Sequence, residues 1–214
     1  MVEHGNDSIL LVVADGLGGV EAGEEASQRA VEELRTLFLS EESAFDLSKG
    51  IYAANTSILK LQNQTGKRMK TTIAAVYVTT DRILCAHVGD SRIYLFNDNK
   101  IIYQSVDHSF SQMAVFSGEI KVEEIRTHKD RNKLLQALGV DDELSVRVRS
   151  YPKNEVQAIL LCSDGFWEYI YENEMCNILS QSASADEWLD KMKSLIQTRV
   201  PERNDNNTAI TAIL

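Results

Sequence analysis

Proline is nearly absent, with two in 214 residues. No Pro-rich or Gly/Ser-rich stretch offers a linker, so the chain reads as one domain over residues 1–214. Cysteine is also scarce. Cys85, Cys162 and Cys176 are odd in number and lack CxxC spacing, which excludes a disulfide framework and a thiolate zinc site. Cys85 and Cys162 lie inside apolar runs and read as buried thiols. A reducing, cytoplasmic setting is expected. Long apolar runs are missing too. None approaches the roughly 20 residues of a membrane span, and Ile9 to Ala14 is too short and too late for a signal segment. Basic residues are outnumbered, 22 Lys and Arg against 32 Asp and Glu, for a net charge of −10. Such a chain repels nucleic acid and anionic membranes, so neither is an expected partner. What remains is ordinary for a soluble globular protein: 43% apolar and 25% charged residues, enough to fill a core.

Apolar periodicity divides the chain. Ser8 to Ala14 reads as a buried strand stopped by Asp15-Gly16. Glu21 to Leu39 reads as a helix, with Ala22, Ala26, Ala30 and Leu34 at i, i+4 spacing. A second helix runs from about Ala44 to Leu61. The period then shortens. Thr71 to Thr79 and Arg82 to Val88 are strands joined at Thr80-Asp81. Ser91 to Phe96 and Lys100 to Tyr103 flank Asn97-Asp98-Asn99, a hairpin signal. Ser105 to Asp130 reads as a long irregular loop, of the kind that carries function. Arg131 to Leu138 reads as a short helix ended by Gly139. Leu144 to Tyr151 alternates as a strand with one wet face, and Gln157 to Ser163 is another buried strand. Helices around Asn173 to Ser180 and Ala185 to Arg199 precede a last strand, Thr208 to Leu214. So many adjacent strands argue for antiparallel pairing and against a doubly wound parallel sheet.

Three aspartates stand at the ends of apolar runs: Asp15, Asp164 and Asp205. An acid at a strand end, followed by a glycine or an asparagine, can point into a shared site. Three would make a hard, oxygen-rich pocket suited to Mg²⁺ or Mn²⁺. Taken singly, each Asp-Gly is an ordinary turn. Gly16-Leu17-Gly18-Gly19 lacks the Lys and Ser/Thr of a phosphate-binding P-loop, which argues against nucleotide binding. Asp90-Ser91-Arg92 also fits a hairpin corner, with Arg92 paired to Asp90. His87, without a second ligand at metal spacing, reads as a satisfied core histidine. Asp107-His108-Ser109 reads as a capping or loop-fixing element and not as a catalytic triad. Trp167 and Trp188 read as packing residues.

The order of the motifs is more specific than any one of them. The chain runs through Val12-Val13-Ala14-Asp15-Gly16-Leu17-Gly18-Gly19, Thr71-Thr72-Ile73-Ala74-Ala75, Gly89-Asp90-Ser91-Arg92, Asp107-His108-Ser109, Cys162-Ser163-Asp164-Gly165 and Asp205-Asn206-Asn207-Thr208. This succession resembles the PP2C-type (PPM) family of metal-dependent serine/threonine protein phosphatases, over nearly the whole chain. The resemblance implies an α+β fold, a β-sandwich of two mixed or antiparallel sheets flanked by helices. It implies hydrolysis of phosphoserine and phosphothreonine on proteins by a water shared between two Mn²⁺ or Mg²⁺ ions, with no protein nucleophile. Asp15 would bridge the ions and the Gly16 carbonyl would bind the second. Asp164 and Asp205 would hold the first, and Asp90 would help form a weaker third site. The implied partners are phosphorylated protein substrates and a Ser/Thr kinase system.

Two departures from the family pattern stand out. Leu17 occupies the place where many members carry His, which fits a bacterial branch. The usual Arg-bearing first strand and its Asn-Glu/Gln-Asp element are not seen before Asp15, and His4-Gly5-Asn6-Asp7 reads as a turn. The domain is therefore expected to be shortened at its N-terminal side, without the phosphate-binding Arg. The rival expectation that follows is a non-catalytic relative that binds phosphoproteins or regulates a kinase.

Overall fold

In the computed structural model, described for residues 1–17, 22–41, 44–141, 144–201 and 206–214, two antiparallel sheets pack face to face. The first has the order β1 (Val2–His4), β2 (Ile9–Val13), β3 (Ile73–Val78), β4 (Arg82–Val88) and β7 (Arg149–Pro152). The second runs β6 (Lys100–Gln104), β5 (Arg92–Asn97), β8 (Ala158–Cys162) and β9 (Ala209–Ile213). Every named strand pair is antiparallel.

Alternation along the strands decides the layers, because successive side chains face opposite ways. Leu11 and Val13 of β2, Val76 of β3, Cys85 of β4, Ile93 of β5 and Leu161 of β8 meet between the sheets. Their sequence neighbours face outward. Leu10, Val12, Ile73, Ala75 and Val88 pack under α1 (Gly23–Ser40) and α2 (Leu47–Thr65). On the far side Tyr94, Phe96, Leu160 and Cys162 pack under α5 (Glu172–Ser180) and α6 (Ala185–Gln197). The result is helices, sheet, sheet, helices, the α+β sandwich implied by the sequence resemblance. The strands of the inner layers read as near-continuous apolar runs because both of their faces are covered. Cys85 and Cys162 are fully buried in them, as expected. The hairpin between β5 and β6 turns on Asp98 and Asn99, both with positive φ (48° and 57°), as a primed two-residue turn requires.

Three expectations from the sequence are corrected. Arg131 to Leu138 is not a helix. Its backbone is drawn into long-range bridges, Leu134 with Ser109 and Leu138 with Thr71, and the Leu138 and Thr71 amides and carbonyls bond each other at 2.9 and 3.2 Å. Polar side chains of α2 hold the segment that follows: Asn55 accepts from the Gly139 amide at 2.8 Å, and Gln62 donates to the Gly139 carbonyl at 2.7 Å. Leu144 to Tyr151 forms a strand only from Arg149. Its alternation is real, but Leu144 and Val146 pack on the α1/α2 core and not on a neighbouring strand. The irregular loop at Ser105 to Asp130 contains α3 (Phe110–Phe116) and a 3-10 segment, Val122–Thr127. The sequence reading also missed β1. His4-Gly5-Asn6-Asp7 is a turn as read, and it is the turn of the β1/β2 hairpin, with the Gly5 amide bonding the Ser8 carbonyl at 2.9 Å.

Candidate functional site

The ends of strands from both sheets meet at one edge of the sandwich. Asp15 lies two residues beyond β2, Asp164 two beyond β8, and Asp90 in the turn that carries the chain from β4 in one sheet to β5 in the other. Together with Gly16, Leu17, Thr72, Asn132 and Leu134 they line a cleft of about 240 Å³. Asp205 falls outside the described residues, as do Gly18 and Gly19.

Backbone bonds fix each acid. The Asp15 amide donates to Thr72 Oγ1 at 3.1 Å, and its carbonyl accepts from Thr71 Oγ1 and from the Thr72 amide, both at 2.9 Å. Thr72 Oγ1 in turn shares a 2.7 Å hydrogen bond with Ser91 Oγ, beside Asp90. One buried hydroxyl thus ties the Asp15 turn to the Asp90 turn. Gly16 sits so close to Gly23 that a Cβ there would lie 2.2 Å from the Gly23 carbonyl oxygen; only glycine lets the Asp15 turn pass beneath the start of α1. Asp164 opens the short helix α4 (Asp164–Trp167), and its Oδ1 accepts the Gly165 amide at 2.7 Å.

Asp90 is held from two further sides. The Trp167 indole donates to its carbonyl at 2.9 Å. Next to it, Gly89 exchanges bonds with His108: the Gly89 carbonyl accepts the His108 amide at 2.9 Å, and the Gly89 amide donates to His108 Nδ1 at 3.3 Å. Gly89 has φ +99°, a backbone conformation that favours glycine. Arg92 does not pair with Asp90, contrary to the corner reading. Its guanidinium lies 3.5 Å above the Trp167 ring and makes a bidentate pair with Asp107, at 2.8 and 2.7 Å. The pair is almost wholly buried, with side chains 3% and 1% exposed. Asp107 is therefore a structural anchor, and Ser109 caps α3 by accepting from the Gln112 amide, as the loop-fixing reading expected. Trp167 and Trp188 are buried packing residues as read. His87 is satisfied by the Val106 carbonyl at 2.8 Å, but it is only half-buried, and it stacks on His108 with centroids 4.6 Å apart.

The electrostatics of the cleft are those of a cation site. Burial comes first, and the negative charges of Asp164, Asp107 and Asp15 add to it; together they hold the Asp90 carboxyl well above the ordinary carboxylate range. Among the described residues no Lys or Arg lines the cleft to relieve this repulsion. No three His, Cys, Asp or Glu side chains among the described residues close into a ready-made ligand cluster, as expected of acids that repel one another. The donors available are carboxylate, hydroxyl, amide and carbonyl oxygens. That set fits a hard divalent cation and not a thiolate- or imidazole-seeking metal. Thr72 and Asn132 were not assigned a role from the sequence. The only signal was the place of Thr72 in the ordered motifs above; Asn132 stands in none of those.

Comparison with known proteins gives the family. The family described as Protein phosphatase 2C matches residues 1–212. The chain is 34% identical over 197 residues to the serine/threonine phosphatase stp of Listeria welshimeri, covering 88% of this chain and 78% of that protein. It is 33% identical over 201 residues to a putative protein phosphatase 2C-type of Streptococcus pyogenes, covering 89% and 80%. Among solved structures, serine/threonine phosphatase Stp1 from Staphylococcus aureus superposes with a TM-score of 0.90 at 28% identity, covering all of this chain and 87% of that one. The catalytic domain of the phosphatase PstP, solved in complex with two manganese ions, superposes with a TM-score of 0.80 at 25% identity, covering 100% and 90%.

Proposed function

Because the chain belongs to the protein phosphatase 2C family, of the bacterial serine/threonine type, we propose that its aspartate cleft hydrolyses phosphoserine and phosphothreonine on proteins in a reaction that depends on Mn²⁺ or Mg²⁺. That the protein is a protein phosphatase follows from the family and its relatives. The observation that carries the finer reading is the meeting of Asp15, Asp90 and Asp164, from three separate strand ends, in one cleft.

Asp15, the Gly16 carbonyl and Asp164 are the residues to hold the ions, with Asp205 completing the set and Asp90 serving a weaker third position. Such ions supply a water of lowered pKa and offset charge on the phosphoryl oxygens. The chain's own contribution is placement. Thr71 and Thr72 fix the Asp15 turn, Trp167 and His108 fix the Asp90 turn, and α4 fixes Asp164, so the acids hold their places despite mutual repulsion. The lining offers the phosphate only carboxylates and neutral polar groups among the described residues. Neutralising the substrate therefore falls to the cations, and phosphate binding should be weak without them. The substrate side is a phosphorylated protein surface, and a Ser/Thr kinase would supply it.

The test is release of phosphate from phosphoserine and phosphothreonine peptides across a Mn²⁺ and Mg²⁺ series, with Asp15→Ala and Asp164→Ala alongside. Activity that needs the cation and is lost in both variants supports the reading, and equal activity in the variants sinks it. Saturable Mn²⁺ binding with no turnover on any phosphopeptide would point instead to a phosphoprotein-binding relative that lacks catalysis.

A further inference from the structure

A larger cavity of about 680 Å³ shares His108 with the mounting of the Asp90 turn and has otherwise no part in the reading above. A strap separates it from the aspartate cleft. Ser109 bridges to Leu134, the Leu135 amide bonds the His108 carbonyl at 2.8 Å, and the Phe110 amide bonds the Lys133 carbonyl at 2.9 Å. Successive side chains of the strap serve opposite sides: Leu134 lines the cleft and Leu135 lines the cavity.

The cavity is built from flat and charged surfaces. Tyr103 of β6 and Tyr151 of β7 sit with centroids 5.3 Å apart, and the stacked rings of His87 and His108 line it beside them. Met113 and Phe116 of α3 also line it and are 52% and 67% exposed, large apolar groups left facing solvent. Two exposed cations, Arg147 and Arg149, belong to the same lining. Among the described residues neither arginine has a carboxylate partner. The nearby acid, Asp107, already gives both oxygens to Arg92. In a chain of net charge −10, these two arginines concentrate positive charge on the lining of one cavity. One polar atom is also left over: Gln136 lines the cavity, and its Oε1 is buried with no hydrogen-bond partner. Buried polar atoms in folded proteins are normally satisfied, and a terminal amide can turn either its oxygen or its NH₂ inward.

We propose that this cavity is a binding site for a small aromatic carboxylate, separate from the aspartate cleft. The aromatic body would lie against Tyr103, Tyr151 and the histidine pair, under Met113 and Phe116, while the carboxylate meets Arg147 and Arg149. Gln136 would give the ligand a further hydrogen bond. The volume falls within the range of small-molecule sites, and aromatic walls with a few convergent polar groups are their usual make-up. Guanidinium groups recognise carboxylates through paired N–H donors. The inference does not depend on the phosphatase reading.

The test uses the full chain after EDTA treatment, so that no metal in the aspartate cleft can capture the carboxylate. 2-Naphthoate is titrated and followed by calorimetry and by NMR shifts. Saturable binding is expected, with shifts at Tyr103, Met113 and Arg147. Loss of the charge (2-naphthol) or of the aromatic ring (cyclohexanecarboxylate) should weaken it about tenfold. The variant Arg147→Gln/Arg149→Gln, at two exposed positions, should weaken binding about tenfold while leaving the melting temperature and phosphatase activity unchanged. Absence of saturable binding would overturn the proposal. So would binding indifferent to the arginines, equal binding of the neutral or non-aromatic probe, or shifts centred on Asp15 and Asp164.

Discussion

Two groups of buried or half-buried charge lie within a few residues of each other and are built on opposite principles. Arg92 and Asp107 are oppositely charged, almost wholly buried, and joined by two hydrogen bonds. Asp15, Asp90 and Asp164 are alike in charge, share a cleft with no cationic side chain among its described lining, and push the Asp90 carboxyl upward. A fold that pairs one set with opposite charge and gathers the other as like charges in one cleft is using them differently. The paired set supports structure. The gathered acids repel one another, which makes sense when cations neutralise them.

That contrast can be broken by exchanging the roles. Removing an acid from the cleft should abolish chemistry and spare the fold. Asp164→Ala is expected to lower Mn²⁺-dependent phosphopeptide hydrolysis on the order of 10²–10³-fold, while urea unfolding of the metal-free protein stays level or shows a small gain. Removing an acid from the pair should do the reverse. Asp107→Ala leaves the Arg92 charge buried with only the longer contact to Glu172 at 3.6 Å, and a loss of about 3 kcal/mol in urea unfolding is expected. If Asp107→Ala were neutral and Asp164→Ala strongly destabilising, the contrast would be the wrong way round.

Trp167 links the two groups, with Arg92 over its ring and its N–H on the Asp90 carbonyl. Trp167→Phe keeps an aromatic ring beneath Arg92 but deletes the donor together with part of the buried indole. A loss of about 1–2 kcal/mol is expected, accompanied by weaker Mn²⁺ binding in calorimetry, with full affinity in the parent protein as the reference. Unchanged affinity would make Trp167 a packing residue alone.

The smallest effect concerns the stacked histidines behind Gly89. Burial comes first and the facing His87 second; together they lower His108 from the ordinary 6.5 to about 4. Above about pH 6.5 the ring is neutral in both folded and unfolded chains. Between there and about pH 4 only the unfolded chain takes up the proton, so stability falls as pH drops through that window. Because the rings are partly solvated, the loss should be about 1 kcal/mol. Unfolding curves at pH 7 and pH 5 should show it in the parent and show less of it in His108→Phe.

Much of this was legible in the sequence, for reasons that differ by element. The inner strands announced themselves because burial on both faces leaves nearly pure apolar runs, as at Leu10–Val13 and Ile159–Cys162. The helices α1 and α2 showed a one-sided stripe. Arg131 to Leu138 misled because its leucines sit at helical spacing while its backbone bonds are spent on Thr71 and Ser109, partners far away in the chain. Leu144 to Val148 misled because alternation reports a covered face without saying whether a strand or a helix covers it. At the site, the meeting of Asp15, Asp90 and Asp164 in one cleft was legible from their positions at strand ends and their order. The Arg92–Asp107 partnership was not, since the fifteen-residue separation bridges two strands and a turn. Nor was the linking role of Thr72, whose hydroxyl reaches Asp15 and Ser91 only after the two sheets have packed.

The most direct measurement is Mn²⁺ calorimetry on metal-free protein, run beside the same titration of Asp15→Asn. Saturable binding is expected in the parent and its loss in the variant, with phosphoserine peptide turnover rising and falling in step. Equal Mn²⁺ binding in the two proteins would contradict it.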